Sequence, residues 1–508
     1  MTAPILPVAV LEGLAECLHR CYRSAQVAEA LGLPGQAALG RGDLGGVERL
    51  TRDGSPTETM IRLFLLGQAE SRTAVAAALA PVTIEAALSC GLLHEPDGRL
   101  RAALDLRPYS EEGGPDWWVL SDLGAEVRSG PLEAEHVLGI GQAATTLAQA
   151  TLRDPVGRAL DVGTGSGVQA LHLARHSQEV VATDISARAL RFAAANAVLN
   201  GQRWQLRPGS LLEPVAGEQF DLVVCNPPFI VGPGFSAGAG GFTYRDSGFA
   251  SDAVCHRLVS GLPAVLAPGG TAQLLANWAI AADGDWAARV GSWLPEWGVT
   301  AWIWQREVAE PAEYVALWLR DAGLSPDGSD WQQRYHQWLD WFATEAVAAV
   351  GMGLITIRRT DAPSRIVAQD VPQPYQQPIG PAISDWLRRQ QWLTGMELEQ
   401  ARLRPAANLV LTTDSLLAGE DGWQPRLSRL RQSEGLRWEL EVDDAVAGLV
   451  AACSAAVPVG VLFDVLADLR QLDRDEVRRA LRPVVHDLIE RGFLVPAEAT
   501  DPAAAGRR

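Results

Sequence analysis

Residues 159–184 read ALDVGTGSGVQALHLARHSQEVVATD and carry a clear pattern of secondary structure. Its two apolar runs predict strands at Ala159–Val162 and Val180–Asp184, and the apolar spacing between them predicts a helix at Val168–His176. A glycine-rich turn separates the first strand from the helix. Strand, helix and strand in this order predict a parallel β-α-β unit, and such sheets bind ligands at the carboxyl ends of their strands.

The same alternation continues along the chain and predicts an α/β fold with helices on both faces of a mostly parallel sheet. Further strands are predicted at Trp204–Arg207, Leu222–Asn226 and Thr271–Asn277, further helices at Ala187–Asn200 and Ser251–Leu266, and a closing hairpin at Thr300–Arg306 and Leu354–Arg359. The insertion between the hairpin strands predicts helices at Glu313–Asp321 and Trp331–Val350. Tryptophan is concentrated between residues 278 and 341, where its spacing favours a packed core over a platform that stacks bases.

The segment before this sheet, residues 1–130, predicts a helical, winged-helix-like domain. Apolar spacing indicates helices at 8–34, 57–69, 71–79 and 82–90, and an Asp-Gly pair between apolar runs indicates a hairpin near residue 97. Such a domain can bind nucleic acid or a protein partner. The alternative is that it is a compact cap that supports the sheet.

The segment after the sheet predicts an additional α+β domain over residues 363–500, followed by a tail at 501–508. It begins with Pro363–Pro381, where proline and glutamine indicate a linker. Mixed structure is expected at 385–440, and helices are expected at 443–454, 459–470 and 474–491. The central domain then spans residues 131–362.

Composition and charge limit the classes of protein to which this chain can belong. The chain has 508 residues and a net charge of −18, which weakens long-range attraction to nucleic acid, although clustered arginine can still form a local basic face. It has no apolar run of the roughly 18–20 residues that cross a bilayer and no basic segment ahead of an apolar one at its start. These features predict a cytoplasmic protein without a membrane partner. The six cysteines show no zinc-ligand spacing, so no metal is expected.

The turn after the first strand, Asp161-Val162-Gly163-Thr164-Gly165-Ser166-Gly167, can hold a nucleoside ligand. Its glycines permit positive φ and let backbone approach the ligand closely. A dinucleotide-binding turn has glycine or alanine where Val168 stands, which argues against that class. Asp161 can meet an ammonium group through a charge-assisted hydrogen bond.

Asp184, which ends the second strand, can accept hydrogen bonds from both hydroxyls of a ribose. The alternative is that it caps the next helix, which would stabilise the fold by about 1 kcal/mol. Ser186 can serve as that cap equally well, and this frees Asp184 for a ligand.

The turn after the fourth strand, Asn226-Pro227-Pro228-Phe229, can grip a planar amino group. Two prolines make the turn rigid and remove backbone donors, so its carbonyls are free to accept. The Asn226 side-chain oxygen and the Pro227 carbonyl would accept the two N–H groups of an amine on an sp2 carbon. Phe229 could then lie over the planar acceptor. The alternative is an ordinary loop with a phenylalanine at its edge.

These two motifs, in this order, resemble the class I S-adenosylmethionine-dependent N-methyltransferases with a small methyltransferase domain. That family includes ribosomal RNA guanine-N2 and release-factor glutamine methyltransferases. The resemblance implies a Rossmann-like seven-stranded methyltransferase domain and S-adenosyl-L-methionine as cofactor. It implies that Asn226, Pro227, Pro228 and Phe229 are catalytic. The implied cofactor-binding residues are Asp161, Gly163, Thr164, Gly165, Gly167, Asp184, Ile185, Ser210, Leu211 and Asn226.

The resemblance also implies roles for two further segments. In the family, an aspartate after the third strand usually contacts the adenine, but Ser210 stands there, so the Leu211 N–H is expected to contribute more. Gly139–Gln142 resembles the segment that covers the methionine end of the cofactor.

A glycine-rich stretch, Gly232–Gly248, follows the second motif and predicts a loop over the acceptor. Tyr244, Arg245 and Asp246 are its candidates for substrate contact. The alternative is a solvated surface loop.

The methyl acceptor is predicted to be RNA or a protein. The phenylalanine at the end of the second motif favours the exocyclic amine of an RNA base, whereas the acidic charge favours a glutamine amide in a protein such as a release factor. Remoter alternatives are a non-catalytic scaffold with this fold and a dehydrogenase.

Overall fold

The computed structural model describes residues 2–41, 43–52, 54–111, 114–124, 127, 133–234, 248–419 and 422–497. The chain divides into two compact units. The first comprises Met1–Ala148 and Asp154–Val371, and the second comprises Gln149–Arg153 and Pro372–Arg508. The predicted N-terminal and central domains therefore belong to a single unit. In the described residues, every helix is too short or too polar to cross a membrane.

The N-terminal part of the first unit is a helical module with two small hairpins. Its elements are α1 (Val8–Cys21), α2 (Ser24–Gly40), α3 (Leu44–Leu50), α4 (Pro56–Met60), α5 (Arg72–Leu79), α6 (Ile84–Ser89), β1 (Leu93–His94), β2 (Arg101–Ala102), β3 (Asp105–Ser110) and β4 (Asp116–Ser121). The predicted hairpin near residue 97 is confirmed, since β1 pairs with β2 antiparallel.

The single helix predicted over residues 8–34 was wrong, because the chain breaks between α1 and α2. Tyr22 ends α1 with a φ of −140°, and Arg23 is extended. The Tyr22 side chain is fully buried, and its hydroxyl donates to the Leu106 carbonyl at 3.2 Å. A tertiary contact, which helical periodicity cannot reveal, thus accompanies the break.

The rest of the first unit is built around an eight-stranded sheet. Its strands are β5 (Val156–Val162), β6 (Ser177–Asp184), β7 (Gln205–Pro208), β8 (Phe220–Cys225), β9 (Leu266–Ala281), β10 (Trp297–Ala309), β11 (Val347–Pro363) and β12 (Arg365–Asp370). The helices are α7 (Gln142–Ala150), α8 (Val168–Leu173), α9 (Ala187–Leu199), α10 (Ala253–Val265), α11 (Trp286–Gly291), α12 (Pro311–Asp321) and α13 (Ser329–Thr344). The strand order is β12-β10-β11-β9-β8-β5-β6-β7.

The sheet confirms the predicted α/β architecture and adds one strand. Strands β7, β6, β5, β8 and β9 are parallel, and β11 lies antiparallel between β9 and β10. The extra strand, β12, pairs parallel with β10 within the segment predicted as a linker. Ile366 and Ala368 pack against the core, which explains why this stretch is ordered. The sheet therefore extends past the predicted border at residue 362.

The end of the helix predicted at Trp331–Val350 was also wrong, because Val347–Val350 begins β11. Val350 pairs with Ala279 of β9, so sheet pairing overrides the helical pattern. The prediction that the tryptophans form core is supported by Trp278, Trp302 and Trp338, which are almost fully buried.

Helix α9 packs against both the N-terminal module and the sheet. Asn196 of α9 accepts from the Leu120 N–H at 2.8 Å and donates to the Leu120 carbonyl at 2.9 Å. Asn200 makes the same two bonds with the backbone of Trp118. Phe192 of α9 belongs to the hydrophobic core of the N-terminal module. This packing joins the first 121 residues to the sheet.

The second unit contains helices and two small antiparallel sheets. Its elements are α14 (Gly380–Thr394), β13 (Leu403–Pro405), β14 (Leu409–Leu417), β15 (Trp423–Gln432), β16 (Glu439–Val442), α15 (Asp444–Ala452), α16 (Val459–Arg470), α17 (Arg474–Arg491) and β17 (Leu494–Pro496). Strand β13 pairs with β17, and β14, β15 and β16 form the other sheet. The three predicted helices correspond to α15, α16 and α17.

Candidate active site

The two motifs meet at the carboxyl edge of the parallel strands. Strands β5 and β8 are neighbours, and Val162 lies opposite Cys225 in their register. The chain leaves both strands at the next residue. A Cβ atom built on Gly163 would lie 3.9 Å from the carbonyl oxygen of Asn226. The glycine-rich turn and the diproline turn therefore form adjacent walls of one site.

The glycine-rich turn has a backbone that only glycine adopts without strain. Gly163, Gly165 and Gly167 have φ angles of 71°, 55° and 90°. A Cβ on Gly167 would also lie 2.6 Å from the Trp204 ring. The backbone N–H groups of Gly163 and Thr164 both donate to the Thr183 carbonyl at 2.9 Å, which anchors the turn to β6.

Asp161 lies beneath this turn and is only 1% exposed. Its Oδ2 atom accepts from the Thr164 hydroxyl at 2.7 Å and from the Ala170 N–H at 3.1 Å. Its Oδ1 atom is buried and has no hydrogen-bond partner among the described residues. Burial raises the pKa of Asp161 to about 7. An unpaired buried carboxyl oxygen is costly, and a cationic group beside it would offset that cost.

Asp184 ends β6 and ties the glycine-rich turn to the start of α9. Its Oδ2 atom accepts from the Gly165 N–H at 2.9 Å, and its Oδ1 atom accepts from the Ser186 N–H at 2.8 Å. Ser186, as predicted, caps α9 by accepting from the Ala189 N–H at 3.2 Å. Burial raises the pKa of Asp184, and its backbone hydrogen bonds oppose that rise. Each carboxylate oxygen keeps a further lone pair for a ligand hydroxyl.

The turn after β7 lies beside Asp184. The Gly209 N–H donates to the Asp184 carbonyl at 3.0 Å. Leu211 has a φ of 48°, and its N–H has no hydrogen-bond partner in the described part of the chain. The neighbouring Ile185 is 67% exposed, so its apolar side chain is accessible to a ligand. This corner therefore offers an apolar surface and a free backbone donor.

Asn226 presents an unsatisfied acceptor on the other wall. Its Oδ1 atom is buried and, within the described residues, lacks a hydrogen-bond partner. The next residue, Pro227, is buried and has no N–H group to donate. Phe229 is half-buried, and its ring lies edge-to-face with Trp318 at a centroid distance of 6.0 Å. An orphaned amide oxygen beside a rigid turn suits a ligand with N–H donors.

Residues of the two-helix insertion, α12 and α13, hold the segment that follows Phe229. The Tyr314 hydroxyl accepts from the Val231 N–H at 3.0 Å and from the Asn277 side-chain amide at 2.9 Å. The Trp338 indole donates to the Val231 carbonyl at 3.1 Å. Sequence reasoning missed Tyr314, Trp318 and Trp338 as site residues. For Trp318 and Trp338 the only signal was the concentration of tryptophan, which indicated packing core, and Tyr314 had no signal.

Tyr314→Phe is expected to lower the free energy of unfolding by about 1–3 kcal/mol, because the Val231 N–H and the Asn277 amide would lose a buried acceptor. Chemical denaturation measures the change. Tyr335→Phe is the matched control, since Tyr335 is a half-buried tyrosine of the same insertion with a hydroxyl that makes no hydrogen bond within the described residues. Equal stability of the two variants would contradict the role of Tyr314.

Three predicted substrate contacts, Tyr244, Arg245 and Asp246, lie outside the described residues. At the base of their loop, the Ser251 N–H donates to the Gly232 carbonyl at 2.8 Å. The Gly139–Gln142 segment is described, and Ile140 packs against a small core that includes Val168 of α8. That contact places the segment beside the helix that follows the glycine-rich turn.

The described site residues fit a ligand that carries an ammonium, a ribose and a base. Asp161 supplies an unpaired carboxyl oxygen, Asp184 supplies a carboxylate at the edge of the sheet, and Ile185 supplies exposed apolar surface. Among the described residues, no group of three or more His, Cys, Asp and Glu side chains could hold a metal ion.

Comparison with known families assigns the segment that contains both motifs. Residues 139–240 match the family model described as methyltransferase small domain. The segment is a methyltransferase small domain. Residues 19–103 and 384–496 match two domains of unknown function, DUF7059 and DUF7782.

Curated relatives are similar to this chain over part of its length. Ribosomal RNA small subunit methyltransferase C of Alcanivorax borkumensis is 32% identical over 121 residues, which are 24% of this chain and 32% of the relative. Release factor glutamine methyltransferase of Xylella fastidiosa is 39% identical over 130 residues, which are 24% of this chain and 47% of the relative. The chain thus spans less than half the length of each.

Solved structures with a related fold include the T. thermophilus 16S rRNA N2 methyltransferase in complex with AdoMet and guanosine. It is 20% identical, and the match covers 41% of this chain and 55% of that chain with a TM-score of 0.25.

Proposed function

We propose that this protein is an S-adenosylmethionine-dependent N-methyltransferase that acts on a planar amino group. The observation that carries the proposal is the buried Oδ1 atom of Asn226, which has no partner among the described residues and lies on a rigid turn adjacent to Gly163. The family match of residues 139–240 supports the cofactor. S-adenosylmethionine, when bound, supplies an electrophilic methyl group on a sulfonium.

The residues at the ends of β5, β6 and β7 would bind and orient the cofactor. Asp161 would accept from its ammonium through Oδ1, and Asp184 would accept from its ribose hydroxyls. The exposed Ile185 would pack against its base, and the Leu211 N–H would donate to that base. Ser210 is half-buried next to this donor and completes the predicted set.

Asn226 and Pro227 would bind and orient the acceptor amine. The nitrogen lone pair of an amine on an sp2 carbon is delocalised, which makes the nitrogen a poor nucleophile. Hydrogen bonds from its two N–H groups to the Asn226 Oδ1 atom and the Pro227 carbonyl would favour tetrahedral geometry and direct the lone pair at the methyl group. The methylated nitrogen then releases a proton to water, so no strong general base is needed.

We favour the exocyclic amine of an RNA base as the acceptor. Phe229 and Trp318 would provide aromatic surface for a flat base at the site, where stacking contributes about 1–3 kcal/mol. If the base is paired, it must be flipped out of its helix, which costs a few kcal/mol.

A basic cavity in the N-terminal module supports an RNA substrate. The cavity has a volume of about 670 Å³ and is lined by four arginines, Arg52, Arg62, Arg99 and Arg101, and two glutamates, Glu48 and Glu70. Arg62 donates to Glu70 at 2.5 Å through Nε, while its buried Nη1 atom has no partner among the described residues. This is the kind of local basic face that an acidic chain needs in order to contact phosphates.

A glutamine side-chain amide in a protein is the second candidate acceptor. It presents the same planar NH2 group to Asn226. The 39% identity to a release factor glutamine methyltransferase favours it, as does the net charge of −18.

Transfer of a tritiated methyl group to cell extract distinguishes the two acceptors. The full-length protein is incubated with labelled cofactor and extract, and the product is divided between nuclease and protease treatment. Label that is lost on RNase treatment supports RNA, and label that is lost on protease treatment supports a protein acceptor. Label that remains equal with the Asn226→Ala variant would contradict the proposed chemistry.

Cofactor affinity is expected to rise about five- to tenfold between pH 6 and pH 7.5. Burial raises the pKa of Asp161 to about 7, so its carboxyl is mostly protonated at pH 6 and mostly charged at pH 7.5. Only the charged form attracts the ammonium strongly. Calorimetry across this range measures the change, and Asp161→Asn should flatten it. An equally steep profile in that variant would refute the assignment.

A further inference from the structure

The second unit contains a cavity of about 640 Å³ that lies outside the methyltransferase small domain. Its lining includes four arginines: Arg388, Arg389, Arg404 and Arg491. The carboxylates that line it are Asp385 and Glu434, so the lining has an excess of positive charge in an acidic chain. Its volume falls within the range of about 300–1,000 Å³ that is typical of small-molecule sites.

Arg388 and Arg491 both form ion pairs. Arg388 pairs with Asp385, one helical turn earlier on α14. Arg491 donates from Nε to the Asp487 carboxylate at 2.8 Å. These pairs neutralise much of the charge of both guanidinium groups. The Asp385 carboxylate still acts on Arg389 at longer range, where it raises the pKa of that guanidinium.

Arg389 is different, because within the described residues no carboxylate lies within 4.0 Å of its guanidinium. Its one hydrogen bond there runs from Nε to the Glu490 carbonyl at 3.4 Å. A Cβ on Gly492 would lie 3.1–3.3 Å from three guanidinium atoms, so the group lies close against backbone. Burial lowers the pKa of Arg389 to about 10, which still leaves it charged at neutral pH. The carboxylates of Asp385 and Glu490 offset only part of this desolvation, so a bound anion in direct contact would stabilise the cation further.

Apolar side chains complete the lining beside this cation. Trp392 follows Arg389 by three residues on α14, is half-buried and lines the cavity. Pro381, Leu436 and Val495 add further apolar surface. A ligand that fits such a lining has a flat apolar part and an anionic part.

We propose that this cavity binds a nucleotide, with its phosphate on Arg389 and its base against Trp392. A guanidinium can bind a phosphate through two parallel hydrogen bonds. An indole ring can stack on any base. The nucleotide is either a free mononucleotide or one unit of a single-stranded RNA, since both present the same chemistry. The proposal is independent of which group accepts the methyl.

Calorimetry with the full-length protein tests the site. The probes are uridine monophosphate, uridine, inorganic phosphate and a ten-residue oligouridylate, since a pyrimidine avoids competition at the proposed adenosine-binding site. The monophosphate is expected to bind more tightly than uridine or phosphate alone. A monophosphate that binds as tightly as the oligonucleotide supports a free nucleotide, and a much tighter oligonucleotide supports RNA.

Matched variants test whether nucleotide binding depends on this cavity or on general surface charge. Arg389→Gln is expected to weaken nucleotide binding at least about tenfold, which corresponds to one lost charge-assisted hydrogen bond. Trp392→Ala is expected to weaken it independently. Arg426→Gln and Trp423→Ala are the controls, because both residues are exposed in the same unit and lie outside the cavity.

Thermal unfolding checks that each variant remains folded, and Arg389→Lys replaces Arg389→Gln if that variant unfolds. The lysine keeps the charge but loses the paired hydrogen bonds, so weaker binding is still expected. The proposal is overturned if neither nucleotide probe binds, or if binding is unchanged in both the Arg389 and Trp392 variants.

Discussion

Asn226→Ala is expected to lower methyl transfer at least about a hundredfold, the loss seen when one transition-state hydrogen-bonding group is removed. The Oδ1 atom of Asn226 is buried and unpaired among the described residues, so it is available to the acceptor amine. Cofactor affinity should stay within about twofold, because Asp161 and Asp184 on the neighbouring strands would hold the cofactor. Turnover assays and calorimetry measure the two quantities separately.

Asn200→Ala is the matched control for this variant. Asn200 also uses its side-chain amide for hydrogen bonds, but those bonds reach the backbone of Trp118 and hold α9 to β4. We expect its removal to lower stability and to leave turnover of the folded enzyme unchanged. If Asn226→Ala retained wild-type turnover, or lost no more than Asn200→Ala, Asn226 would have no part in binding the acceptor.

Asp184→Ala is expected to raise the dissociation constant of the cofactor by about ten- to a hundredfold. Each hydrogen bond to a charged group contributes on the order of 1.5–3 kcal/mol, and the variant loses the carboxylate that would bind the ribose hydroxyls. It also loses the acceptor that fixes the Gly165 N–H at 2.9 Å, so the glycine-rich turn would loosen. Calorimetric titration with the cofactor gives the constant directly.

Asp221→Ala separates the loss of the ligand contact from general damage to the sheet. Asp221 is also a half-buried aspartate that accepts from a backbone N–H, that of Arg158 at 2.8 Å. It stands at the start of β8, which places it at the opposite edge of the parallel sheet. We expect its removal to leave cofactor affinity unchanged. Equal weakening in the two variants would mean that Asp184 acts only through the fold.

Local chemistry explains why much of the sheet and of the cofactor wall could be predicted. The glycines at 163, 165 and 167 have positive φ angles, which no other residue type adopts easily. Short apolar runs indicated β5, β6 and β8, and parallel strands place the residues that follow them at one edge. The adjacency of Gly163 and Asn226 also requires β5 to pair directly with β8, and this pairing is seen only in the folded chain.

Contacts between distant parts of the chain could not be predicted in this way. The hydrogen bond between Val231 and Tyr314 spans 83 residues, and the one between Val231 and Trp338 spans 107. The tryptophan spacing predicted a packed core in the region of Trp338, but it made no prediction for Tyr314 and could not show which groups these side chains contact. The segment at Arg365–Asp370 was predicted as part of a linker because proline and glutamine are frequent around it, and its pairing with β10 shows that it is a strand.

Local sequence is enough to specify the β-α-β order, the backbone of the glycine-rich turn and the rigidity of the diproline turn, because these depend on neighbours within a few residues. The folded chain was needed to show which side chains contact the segment after the diproline turn, and which buried polar atoms lack a partner among the described residues. The physical reason is that hydrogen-bond satisfaction depends on every element packed around an atom, and those elements come from distant parts of the chain.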